Sequence, residues 1–69
     1  MIRSYLLQLE TGEEADPAVY VDDQDTAWEI GDRFAARDGS RWRIVAIDPA
    51  PPQLAGEGFE ATWIVAPLN

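Results

Sequence analysis

The 69-residue chain has no cysteine, no histidine and no lysine. Without cysteine, neither a disulfide nor a thiolate metal site can support the fold. Without histidine or lysine, Ser4, Ser40 and the threonines lack the usual base that would activate a hydroxyl. The chain is therefore expected not to be an enzyme and to need no cofactor. Long apolar runs are missing too: none approaches the ~20 residues of a membrane span. The segment Met1–Leu7 turns polar too quickly for a secretory signal, so no membrane association and a cytoplasmic location are expected. Positive charge is scarce, with five arginines against 13 acids and a net charge of −8. That balance opposes general binding to nucleic acid or to an anionic membrane.

What the chain does contain is unevenly laid out. From Glu10 to Asp32 there are carboxylates and no base, whereas Arg33 to Arg43 carries four arginines and the single acid Asp38. A chain this short buries only about 60% of its unfolded surface, so it is expected to be one domain, 1–69, with a small stability margin. The bulk for a core must come from Tyr5, Tyr20, Trp28, Phe34, Trp42, Phe59 and Trp63.

The clearest local signal is a β-hairpin over Arg33–Asp48, where apolar runs flank Asp38-Gly39. A three-residue Arg37-Asp38-Gly39 loop pairs Phe34 with Trp42, Ala36 with Ser40 and Asp32 with Ile44. Moving the loop to Asp38-Gly39-Ser40 pairs Phe34 with Ile44. Either choice puts Phe34, Ala36, Trp42, Ile44 and Ala46 on one face and Arg33, Arg37, Arg41 and Arg43 on the other. A two-residue loop would set Phe34 opposite Arg43. Burying a large apolar side chain is worth about 1.5–3 kcal/mol, so that register should lose. The same parity puts Val45 and Ile47 on the arginine side as an apolar patch. They would be exposed, or covered by the Pro49–Gly58 loop with Leu54 as the cover.

Strands are also expected over Ile2–Glu10, Ala18–Val21 and Phe59–Ala66, with Thr11–Pro17 as a polar turn. Thr26-Ala27-Trp28-Glu29 fits a capping box and would start at most one or two helical turns, with Trp28 and Ile30 anchored in the core. The fold class that follows is mainly β: a small curved antiparallel sheet or SH3-like barrel of about five strands, with at most one short helical turn. The run Ile30-Gly31-Asp32-Arg33-Phe34, Asp38-Gly39 and Trp42-Arg43-Ile44-Val45 resembles the Gly-Asp strand, turn and strand pattern of SH3-like small barrels, including KOW-type modules. The resemblance covers about a quarter of the chain and implies binding to peptides or RNA.

Asp22, Asp23, Asp25 and Glu29 offer oxygen ligands, but they lack the turn glycine of a calcium loop. They read as a solvated acidic loop, and no metal site is expected. The arginine face has three readings: internal pairing with the Glu10–Asp32 acids, a surface for an acidic protein, or a phosphate contact. The function expected is a non-enzymatic protein-binding module for an unidentified partner, contacting it through Arg33, Arg37, Arg41, Arg43, Val45 and Ile47. The alternatives are an acidic inhibitor that imitates a nucleic-acid backbone, or a weak RNA or DNA binder working through the hairpin. Nucleic acid ranks last because the neighbouring acids weaken the arginine field. Oligomeric state is left open.

Overall fold

The computed structural model describes residues 2–24 and 26–68. Five strands form one sheet: β1 (Arg3–Leu9), β2 (Glu14–Asp22), β3 (Arg33–Ala35), β4 (Arg41–Pro49) and β5 (Phe59–Pro67). Their order is β2-β1-β5-β4-β3, and the sheet curls into a half-barrel. The chain is thus mainly β, of the small, curved kind expected. The pairing is mixed, however: β1 and β5 run parallel, and the other three pairings are antiparallel.

The last strand of the chain occupies the middle of the sheet, between the β1–β2 and β3–β4 hairpins. Its run Ala61-Thr62-Trp63-Ile64-Val65-Ala66 explains that place, since a strand covered on both faces carries few charged groups on either. Thr62, Trp63 and Val65 are buried, with Ile64 between them half-buried. One face of β5 meets the aromatic core, and Thr62 on the other lines a cleft with Leu6, Pro49, Pro51 and Leu54.

The hairpin adopts the first of the two expected registers, with Arg33 opposite Arg43, Phe34 opposite Trp42 and Ala35 opposite Arg41. The Ala36 N–H donates to Ser40 O at 2.7 Å, and the Gly39 N–H donates to Ala36 O at 3.0 Å. Gly39 has φ +90°, the left-handed slot that a three-residue loop with a bulge requires. The Asp38 carboxylate steadies the turn by accepting from the Ser40 hydroxyl (2.6 Å) and the Ser40 N–H (3.0 Å). Those bonds hold it below its ordinary pKa, the hydroxyl contributing most. The Trp42 indole N–H donates in turn to Ser40 Oγ at 2.8 Å.

Several local expectations are corrected. β2 starts at Glu14 rather than Ala18 and contains Pro17, which follows a cis Asp16-Pro17 bond. An edge strand tolerates the missing N–H, and the pairing with β1 breaks register there, between Leu6 and Gln8. Residues 26–29 form no helix. Among the described residues the one helical turn is α1 (Pro52–Ala55), where Pro52 opens the helix at a position whose N–H would have no intrahelical partner. Ile30 does not anchor the core; it is 64% exposed, in the turn that leads into β3.

The core is a ring cluster around Trp63. Tyr5 stacks on it with centroids 4.0 Å apart, and Trp28, Phe34 and Tyr20 lie at 5.2, 5.3 and 5.7 Å. Leu7, Ile44 and Val65 fill the spaces beside it with almost no exposure. Among the described residues, no helix is long and apolar enough to cross a membrane.

Candidate functional site

The alternation that buries Phe34 and Trp42 sends their neighbours outward. Arg33, Arg37, Arg41 and Arg43 are all exposed. Arg33 and Arg43 are directly opposed, and Arg41 faces Ala35 one step along the same side. Arg37 stands in the turn rather than on a strand. Among the described residues, no carboxylate forms an ion pair with any of these four guanidinium groups. Among the described residues, the internal pairing that the sequence invites is therefore not made. Arg33 and Arg43, directly opposed on paired strands, repel one another.

A groove of about 470 Å³ runs along this side, lined by Arg33, Ala35, Arg41, the flank of Phe34, and Leu68. Leu68 reaches it because its N–H donates to Arg41 O at 2.8 Å, which carries the chain end along the far side of β4. Nothing in the local sequence signalled that placement. Two guanidinium forks beside Ala35 and Leu68 can take a carboxylate in bidentate fashion while covering part of the aliphatic portion of its side chain.

The apolar part of the expected surface divides. A β-bulge at Val45 lets β4 fall out of step with β5, so that Ile44 faces Val65 but Ala46 faces Ile64 and Ile47 faces Trp63. Directly paired residues share a face, so Ile47 lies on the Trp63 side of the sheet and not with the arginines. It is 37% exposed at the rim, and Val45 is half-buried within the bulge. Ala46 is likewise moved away from the Phe34 face. Leu54 lines the cleft over Leu6 and Thr62.

Comparison adds no relative: no protein-family model, curated protein or solved structure matches the chain.

The acidic segment has a structural centre that sequence reasoning missed. Asp22 is buried at the end of β2, and its Oδ2 accepts the Trp28 indole N–H at 2.9 Å. Its Oδ1 accepts the Gln24 N–H at 3.1 Å. The Trp28 bond is the main reason the carboxyl sits below its ordinary pKa; burial opposes the shift, while backbone donors at Gln24 and Thr26 and the neighbouring Arg3 charge reinforce it. The clamp holds Trp28 against Tyr20, Phe34 and Trp63. An acid six residues before a tryptophan, with room for only a short loop between, was the available signal. The Tyr20 phenol nearby is raised above its usual pKa, by burial first and then by the Asp22 and Asp23 charges. Of the oxygen groups weighed as calcium ligands, Asp22 is thus engaged within the protein, and Asp25 lies outside the described residues. No cluster of three or more metal-ligating side chains occurs among the described residues.

The clamp makes a pH-dependent element. Because the folded carboxyl has the lower pKa, its contribution is complete above the unfolded value of about 3.9 and fades as pH falls through the folded one. The Trp28 indole N–H resonance should therefore shift on acidification with a midpoint below about 3.9. The Asp22→Asn variant should show no such step. A wild-type midpoint at or above the ordinary aspartate value would contradict the clamp.

Proposed function

We propose that this chain is a non-enzymatic protein-binding module whose contact surface is the arginine side of the β3–β4 hairpin, Arg33, Arg41 and Arg43 with Arg37 at its end. One observation carries the reading: these exposed guanidinium groups make no ion pair with the described residues, and two of them, Arg33 and Arg41, border a groove shared with Phe34, Ala35 and Leu68. Uncompensated like charge on paired strands is destabilising to the folded chain, so the arrangement gains when a partner supplies the carboxylates. Arginine also suits protein interfaces through its stacking and bidentate bonding. The half-barrel sheet is compatible with the SH3-like resemblance, and a KOW-type relationship belongs to this proposal. Val45 and Ile47 are assigned a minor part, since the bulge separates Ile47 from the arginines.

Capture from native extract by three forms of the chain tests the proposal. Wild type should retain a specific protein that the Arg33→Ser, Arg37→Ser, Arg41→Ser, Arg43→Ser form loses. A form with Glu13, Glu14 and Asp23 neutralised should keep it. If the arginine-free form keeps the partner and the acid-neutralised form loses it, the contact lies on the acidic segment instead.

A further inference from the structure

Strand β3 is the last in the sheet and pairs only with β4. The direction of its hydrogen bonds is settled by its two neighbours. The Ala36 N–H donates to Ser40 O, and the Ile44 N–H donates to Asp32 O. In an antiparallel ladder the hydrogen-bonded residues alternate, so Asp32, Phe34 and Ala36 turn their backbone groups toward β4. Arg33 and Ala35 turn theirs to the open edge, presenting two N–H and two C=O groups at the spacing of a strand.

The space beyond that edge is a groove of about 410 Å³ between β3 and the other free edge of the sheet, with Ala35, Ala36 and Arg37 on one bank and Val19, Tyr20 and Val21 on the other. Val19 and Val21 are exposed at 40% and 45%. Arg37 is the only charged residue in its lining. Ala35 borders both this groove and the one beside Arg33 and Arg41. An extended segment lying along β3 would therefore pass between them.

We infer that β3 accepts an added strand from a partner: an extended peptide in which acidic residues alternate with apolar ones. Main-chain bonds to Arg33 and Ala35 hold the peptide in register. Alternate side chains go to opposite sides, carboxylates toward Arg33 and Arg41 and apolar groups toward the seam. Charge selects this occupant over a second copy of the chain. Antiparallel pairing of two β3 edges about Ala35 would set Arg33 against Arg37 in both halves, and like charges directly opposed are unfavourable. The inference rests on the arginine-side reading and adds the mode of binding to it.

The test uses the full chain, labelled with nitrogen-15, and an acetylated, amidated heptapeptide of alternating glutamate and valine. Salt at about 0.1 M shortens the Debye length to ~10 Å, which suppresses repulsion by the distant acids but leaves direct contacts. Saturable shifts centred on Arg33–Arg37 are expected, with slowed exchange of the Arg33 and Ala35 amides. The same peptide N-methylated at alternate residues, in each of the two phases, should bind at least tenfold more weakly in the phase that blocks donation to β3. If all peptides bind equally, the arginine contact stands and strand addition is overturned. No binding by the unmodified peptide, or shifts confined to other strands, overturns the inference outright. The extract capture described above then decides separately whether the arginine side binds anything.

Discussion

Trp63→Ala should leave the chain unfolded at 25 °C. Trp63 is 1% exposed and touches Tyr5, Tyr20, Trp28 and Phe34 at once, so its loss empties the centre of the ring cluster. Removing a buried tryptophan costs about 3–5 kcal/mol. A core of this size rarely supplies more than about 3–5 kcal/mol of net stability, and there is no disulfide to make up the difference. Circular dichroism in the near ultraviolet should lose its fine structure, and amide resonances should collapse into the random-coil range. Trp63→Phe, which keeps a ring against Tyr5, should retain a weakened cooperative transition. A Trp63→Ala chain melting near the wild-type midpoint would show that the ring cluster is not the source of stability.

Two isoleucines, one in the turn before β3 and one in the strand bonded to it, should behave in opposite ways. Ile44 is completely buried opposite Val65, and its backbone bonds to Gly31 and Asp32 tie the turn before β3 to β4. Ile44→Ala keeps those backbone bonds and removes the packing, so a loss of about 2–5 kcal/mol is expected. Ile30, 64% exposed, contributes little, and Ile30→Ser should stay within about 0.5 kcal/mol of wild type. Urea titration followed by tryptophan fluorescence separates the two. Equal losses would mean that Ile30 is an anchor after all.

That pair also marks where local sequence stopped being a guide. Apolar spacing proposed both as core positions. Strand alternation secures Ile44, because a slip of one residue would expose it together with Phe34 and Trp42. No such constraint holds Ile30, because its expected helix gives way to a loop clamped by Asp22 and Trp28. The capping-box reading of Thr26–Glu29 failed for the same reason: a buried carboxylate six residues upstream of the indole outweighed helix propensity in a segment too short to profit from it. Val45 shows the limit of parity. One extra residue in β4 reverses the faces beyond it, and nothing in Ile44-Val45-Ala46-Ile47 announces the insertion.

From the sequence alone came the mainly β class, a hairpin confined to two registers that share the same faces, the left-handed Gly39 and the outward set of arginines. All depend on neighbours a few residues apart, where alternation and turn chemistry act directly. Only the tertiary structure decided that β5 would thread between two hairpins and lie parallel to β1, that Trp28 would pack on Tyr20, Phe34 and Trp63, and which of the two hairpin registers is formed. Those outcomes depend on which distant surfaces meet. A linear pattern states which side chains seek burial, but the partners that bury them are chosen by packing across the whole chain.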